Sequence, residues 1–593
     1  MHLVEPSLGG PEQYDPRQPD YLLLNIVCGQ VSLFPDAASV GKCPPTPGPN
    51  LHEWVVQQDL RLDDDGFSVG RRGRPIGFGD FLPRRLLGEY LAWFRDLLKA
   101  HAAPHVEIVE HRAHAEDLAS IDPLGIALSN GTMIVADYLF LTVGQIPELE
   151  AERGASRRRI VKPYPLPEQL ESVTAEDIVA IVGFGLSAVD AILTLTFGRG
   201  GRMEMRHGSE WYVPSGREPR IVAFSRSGLP YRSRPALGAP LRYEALIFTP
   251  PNIDQLRTER KPRLDYDCDV LPLLFTELRV AYWRARHGRD FGWSSATFFV
   301  EKLRAALAAG HLDHDLAALD ARYGAFDSRA AYFGGLPADD DGRVLENAAT
   351  YQDWCQRWLD DDLREARLGV AHSPMKAALE ACREFRDVIR HAVDFGGLTD
   401  ESADRFFSFH AETLNRIGVG PQKERTADIV ALMRAGVLSV PLGPNPTVAW
   451  EPSRRQWRLE STSLRRRHEV FTDWLYYGVT SRLRSLTDDS GIIGAMARRG
   501  ILRQFRPDSS VIHAVDVDRS FHPISRNADV DRRIWVLGLL CEGVTFYNGY
   551  VTSPGKFVRS QQDADRAVAE IFSGLRRDEQ DAKTKRGNTH ERP

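Results

Sequence analysis

The 593-residue chain is poor in cysteine and has almost no excess of either charge. Its six cysteines, Cys28, Cys43, Cys268, Cys355, Cys382 and Cys541, are scattered without a C-x-x-C pair, which speaks against a disulfide framework and a zinc site. No signal peptide precedes them, so a reducing cytoplasm is the expected location. A formal charge of only −6 argues against a nucleic-acid partner held by bulk charge. One run, Ile178 to Phe197, imitates a membrane span, but it carries Asp190 and is broken by Gly183 and Gly185, with no positive flanks or aromatic belt. It reads as strand, turn and helix, and no membrane partner is expected. No Ser-His-Asp constellation or carboxylate pair stands out, so no catalytic side chain is assigned, and no metal site.

Hydrophobic residues at 42% and charged residues at 26% place the chain among folded proteins. It is about four times the ~150-residue prior for one domain, so several cores are expected. The patterning predicts a short strand ending in Glu5, a helix over Phe81 to Lys99, and one strand over Met133 to Val143 closed by Gly144 and Pro147. A linker, Arg157 to Pro167, precedes the strand-turn-helix unit. A Gly-, Arg- and Pro-rich loop then runs to Pro219, and a strand covers Arg220 to Phe224. From Asp269 to Arg416, apolar residues at three- and four-residue spacing predict a mostly helical segment. Strands are expected at Thr472 to Tyr477 and Ile534 to Leu537, a last helix near Ala564 to Phe572, and a disordered charged tail from Arg576. Residues 136–144 and 472–478 echo each other as acid, aromatic-aliphatic strand and glycine turn. That suits a chain passing between a nucleotide-binding layer and its neighbour, or two unrelated buried strands.

Gly183-x-Gly185-x-x-Ala188 lies between a buried strand and a helix, the context that gives this spacing meaning. The first glycine makes the tight turn, the second admits a pyrophosphate to the backbone, and Ala188 permits close helix-strand packing. The helix start around Ser187 offers free N–H groups to phosphate. A plain tight turn is the bland alternative. The next strand ends Phe224-Ser225-Arg226-Ser227, with no acid for a ribose 2′-hydroxyl. Arg226, with Arg232 or Arg234 close behind, favours a 2′-phosphate and hence NADPH, although the spacing is longer than the usual ~20 residues and a solvated loop is the alternative. Leu3-Val4-Glu5 looks like the second strand of a dinucleotide fold, ending in a ribose-binding acid, yet no glycine fingerprint precedes it. A start displaced by about thirty residues, one βαβ unit, would explain this; a mere surface acid is the other reading.

Several further segments carry a resemblance: Glu5-Pro6-Ser7, Leu22 to Asn25, Phe34-Pro35-Asp36, Phe81 to Arg85 with Gly88 to Leu91, Thr142-Val143-Gly144, Val393 to Leu398, Gly420-Pro421, Leu432 with Gly436, His522-Pro523, and Gly538 through Gly543. They resemble the FAD/NAD(P)-binding family of FAD-dependent urate hydroxylase and aspartate N-monooxygenase, the nitrosuccinate synthase type. The resemblance implies an α/β fold with two dinucleotide-binding, Rossmann-like domains of a flavoprotein monooxygenase, a large helical insertion, and the first FAD βα unit missing at the N-terminus. The expected division is 1–165 for the start of the FAD domain, 166–268 for NADPH, 269–425 for the helical insertion, 426–575 for the return to both domains, and 576–593 for the tail. FAD and NADPH are the implied cofactors, a small-molecule substrate and dioxygen the implied partners. Implied cofactor contacts are Glu5, Asn25, Thr142, Gly144, Gly538 and Gly543, beside Gly183, Gly185, Ser187, Ala188 and Arg226. No acid follows Gly538, where many flavoproteins have Gly-Asp.

The implied reaction is hydroxylation of a small polar amine or aspartate-like amino acid through a flavin hydroperoxide, with NADPH as hydride donor. C-hydroxylation of a urate-like heterocycle and a non-catalytic flavin- or nucleotide-binding role stay open. Substrate carboxylates call for arginine, and Arg84, Arg386 and Arg390 lie in family-like segments. With Glu384 and Asp387 nearby, Arg386 and Arg390 also fit a solvated, salt-bridged helix face. His522 fits a loop histidine better than an acid-base catalyst. The helices of 269–416 fit a substrate lid or a packing and dimerisation layer, which leaves a homodimer open.

Overall fold

The run Ile178-Val-Ala-Ile-Val182 is apolar on both faces, the signature of a strand buried inside a parallel sheet. In the computed structural model it is the third of five parallel strands, in the order Arg159–Ile160, Trp474–Tyr477, Ile178–Val182, Arg220–Phe224, Leu438–Ser439. The structure describes residues 1–7, 12–41, 44–144, 158–206, 208–236, 243–259, 262–336, 345–479, 485–489, 491–549, 551–555 and 558–588. Pro147, Arg157 and Cys43 lie outside them. Helix Leu186–Thr196 packs on this sheet, and one core gathers Ile181, Ile192, Leu195, Ile221, Leu438 and Tyr476, with Leu22 joining from far upstream.

A second core draws on residues from Ala113 to Ala567. Two parallel pairs stand beside it, His2–Val4 with Val109–His111 and Leu139–Leu141 with Ile534–Val536. The helical segment includes Leu271–Phe291, Trp293–Ala308, Ala348–His372, Pro374–Glu384 and Arg386–Val393. Leu274, Leu278, Leu379 and Ile389 from these helices are buried in the second core. A smaller cluster packs helix Arg84–Ala100, through Leu86, Leu87 and Tyr90, against Trp54.

Three expectations need correction. Met133 to Val143 is two strands, since Met133–Ala136 pairs antiparallel with the strand Leu124–Leu128 while Leu139–Leu141 pairs with Ile534–Val536. The stretch before Pro219 contains an antiparallel hairpin, Arg202–Arg206 with Ser209–Val213. The last helix runs from Arg559 to Asn588, so the segment expected to be disordered is helical through Asn588, because its arginine, lysine, glutamate, glutamine and alanine are good helix formers despite their charge. No helix among the described residues is long and apolar enough to cross a membrane.

Candidate active site

Ligands of open α/β sheets bind at the carboxyl ends of the strands, and five such ends, at Leu141, Val182, Phe224, Tyr477 and Val536, open here on one cleft of ≈ 2080 Å³. A single small-ligand pocket holds about 300–1,000 Å³, so the cleft has room for more than one ligand. Thr142 and Gly144 follow Leu139–Leu141, and Leu537 and Gly538 follow its partner strand; all four line the cleft, as does Asn25 from strand Leu23–Val27. Gly144 has φ +70° and Gly538 φ +82°, and a Cβ built on either meets no atom within 4 Å. Glycine is needed there for the left-handed backbone, and the space beside both suits a flat ligand laid against the main chain.

The second bank is the 183–187 loop. Gly183 has φ +101°, its N–H donates to the Phe224 carbonyl at 2.7 Å, and an added Cβ would stand 2.7 Å from Val479. Gly185 is the N-cap of helix Leu186–Thr196, which no side chain caps, so the first-turn N–H groups remain for an anion. Ala188 is fully buried, and a Cβ on Gly478 would come within 2.7 Å of its own. Only two small residues allow the helix to sit this close to the end of strand Trp474–Tyr477.

Of the arginines expected to meet a 2′-phosphate, only Arg226 lines the cleft. Its side chain is 63% exposed, pairs with Glu412 and donates to the Ser408 carbonyl at 2.9 Å. Arg232 pairs with buried Asp362 at 3.1 Å, and Arg234, 2% exposed, pairs with Glu380 at 3.0 Å.

Arg84 does not line the cleft. It is buried behind the 183–187 loop, its guanidinium 2.9 Å from the Asp190 carboxylate and hydrogen-bonded to the Tyr164 hydroxyl at 2.9 Å and the Leu23 carbonyl at 3.1 Å. The Tyr164 hydroxyl also donates to Asp190 at 2.6 Å and lies 3.4 Å from Ser187 Oγ. Burial pushes the Asp190 carboxyl up from its ordinary value, against the pull of Arg84 and Tyr164. This cluster ties the start of helix Arg84–Ala100 to the helix of the glycine loop.

The third bank is helical. Among the described residues seven arginines line the cleft, and five of them face a carboxylate: Arg226 with Glu412, Arg304 with Glu301, Arg383 with Glu380, Arg390 with Asp387, and Arg559 with Asp394. Arg284 and Arg386 do not, and each lies over a tyrosine ring instead, Tyr243 at 5.2 Å and Tyr547 at 4.0 Å. Arg390 is not on a solvated face: it is buried, and it donates to the Phe546 and Tyr547 carbonyls at 3.1 and 2.8 Å. Nothing in the local pattern singles out Arg284, whose partners come from distant segments.

Glu5 ends strand His2–Val4, half-buried and away from the cleft, and accepts from the Ser7 N–H at 3.2 Å. Gly543, at φ +128°, also lies off the cleft, where a Cβ would strike Ile512 at 2.5 Å. His522 lies in an irregular segment, as expected of a loop histidine, and is fully buried there, held by the Ile534 carbonyl at 2.9 Å and Glu570 at 3.2 Å, so it joins a strand to the last helix.

A glycine-edged strand pair and a glycine loop opening on one cleft define a dinucleotide-dependent oxidoreductase. Residues 1–146 match the FAD-NAD(P)-binding family. The chain is 31% identical over 479 residues to the L-aspartate N-monooxygenase (nitrosuccinate-forming) of Streptomyces davaonensis, covering 75% of this chain and 72% of that relative. It is 28% identical over 598 residues to the nitrosuccinic acid synthase of Aspergillus oryzae, covering 97% and 88%. A Streptomyces cremeus enzyme with the same name as the first is 29% identical over 473 residues, covering 75% and 70%. The chain belongs to this family of FAD/NAD(P)-binding flavin monooxygenases.

Proposed function

We propose that the protein N-oxygenates an aspartate-like amino acid, using NADPH as hydride donor and retaining one atom of dioxygen in the product. The observation that carries this reading is the single cleft onto which the Gly144–Gly538 bank and the Gly183–Ser187 loop both open. Asn25, Thr142, Gly144 and Gly538 would hold FAD, whose bound ring supplies the activation of dioxygen that no side chain here can perform. The backbone of Gly183 to Ser187 receives the pyrophosphate of NADPH, and Arg226 its 2′-phosphate. Helices Leu271–Phe291 and Trp293–Ala308 form the far wall and keep bulk water from the reacting amine. The aspartate-like substrate is supported by the names of the curated relatives and by guanidinium groups in the cleft. Free cysteines at all five described positions suit a reducing cytoplasm.

The test supplies the FAD-loaded protein with NADPH, L-aspartate and isotopically labelled dioxygen. N-oxygenated aspartate carrying the label is expected; NADPH oxidation with no label in any aspartate product would end the reading. Arg226 supplies a second test. Its exposed pair with Glu412 competes with an incoming phosphate, so Glu412→Gln should lower the Michaelis constant for NADPH by about two- to fivefold, the equivalent of a ~0.4–1 kcal/mol surface ion pair. The constant for NADH should stay put. An equal change for both coenzymes would remove Arg226 from the 2′-phosphate site.

A further inference from the structure

A dicarboxylic amine presents two carboxylates, and a cleft that selects it needs two cations not already neutralised by the protein's own acids. Among the described residues, Arg284 and Arg386 are the cleft arginines that meet this condition. Both are laid on aromatic platforms that are themselves anchored. Tyr243, under Arg284, donates its hydroxyl to Glu277 at 2.5 Å. Glu277 is fully buried on the same helix as Arg284, and its other oxygen accepts the N–H groups of Leu246, Ile247 and Phe248 at 2.9, 2.5 and 2.9 Å.

Tyr547, under Arg386, has φ +63°, an uncommon backbone state for a bulky residue. It is held there by Glu542, which accepts its N–H at 3.0 Å, and by Arg390, which donates to its carbonyl at 2.8 Å. Backbone strain of this kind persists only where surrounding contacts enforce it, and it concentrates at ligand sites. Both arginines line the same cleft, and the Tyr243 ring packs edge-on against Phe385 at 5.5 Å, one residue before Arg386.

We propose that Arg284 and Arg386 are the two carboxylate receptors of the substrate, one reading the α-carboxylate and the other the side-chain carboxylate, a specificity role that rests on the aspartate reading above. A cation–π contact holds each guanidinium over its tyrosine ring and leaves N–H groups for a bidentate contact with a carboxylate. The carboxylates of the cleft already occupy the other arginines, so a free dicarboxylate is steered to these two.

Arg284→Gln and Arg386→Gln, each FAD-loaded, test this with L-aspartate and L-asparagine. Each variant should raise the Michaelis constant for aspartate by about tenfold to a hundredfold, the loss of one charge-assisted hydrogen-bonded contact, while the constant for NADPH and the FAD content stay at wild-type values. Calorimetric binding of aspartate should weaken in parallel. For whichever arginine reads the side-chain carboxylate, variant and wild type should treat asparagine alike, because that partner is already missing. Neither arginine leaves an orphaned acid behind, and Arg→Lys at either position should recover part of the loss, separating recognition from misfolding. A rise in the NADPH constant instead would make these groups coenzyme ligands and overturn the proposal. So would asparagine penalised equally in both variants. Wild-type protein that ignores aspartate removes the substrate reading and this proposal together, whereas active wild type with unaffected variants removes the proposal alone.

Discussion

Gly185→Ala is expected to raise the Michaelis constant for NADPH by about tenfold or more, the loss of a charge-assisted backbone contact to phosphate, in a protein that still folds. Folding survives because Gly185 has φ −79° and ψ −173°, open to any residue, and an added Cβ meets only Tyr231, at 3.5 Å. The same methyl group stands in the cleft, where a pyrophosphate must approach the main chain. Gly183→Ala is the contrasting control. At φ +101°, with Val479 only 2.7 Å from the new Cβ, it should lower the thermal midpoint as well, because both backbone and packing oppose it. Coenzyme saturation curves and melting curves of the two variants distinguish a ligand effect from a folding effect. A folded Gly185→Ala protein that saturates with NADPH like wild type would remove the loop from the coenzyme site.

Arg84→Met should destabilise the protein by about 3–5 kcal/mol, the cost of leaving a buried carboxylate without its partner. Asp190 and Arg84 are 5% and 8% exposed at the side chain, so water cannot replace the lost contact. The sign of the pH dependence follows from the raised carboxyl of Asp190. A native state that takes up a proton more readily than the unfolded chain loses stability as pH rises. Removing Arg84 pushes Asp190 further up, so the deficit should be largest near neutrality and shrink towards acid. Arg84→Met with Asp190→Leu should recover most of the loss, since an apolar pair of similar volume often replaces a buried ion pair at little cost. Denaturant unfolding at pH 5 and pH 8 would measure both effects, and a single variant as stable as wild type would mean the pair holds nothing together.

The strand-turn-helix unit at 178–196 was readable because every signal for it is local: a β-branched run, glycines at fixed spacing, then helical periodicity. The long helices of 271–308 were readable for the same reason. Partner choice was not. Met133–Ala136 and Leu139–Leu141 look like one strand because a sheet-forming sequence does not specify which strand it will meet, and the second partner lies near residue 535. Arg84 read as a candidate for a substrate carboxylate because its actual partner, Asp190, is far along the chain. Arg386 was visible as a candidate from its family-like segment, but Arg284 was not, as its platform is built from Tyr243 and a carboxylate whose hydrogen bonds form only on folding.

The two hydrophobic cores close at different points in the chain, and this sets an order on biosynthesis. The core under the five-stranded sheet has its last buried member at Tyr476, whereas the other waits for Ala567. At a translation rate of about 5–20 residues per second, the ninety or so residues between them take roughly 5–18 s to emerge. During that interval the ribosome carries a finished sheet tethered to an unfinished neighbour, whose bare aliphatic surface is the natural target for a chaperone.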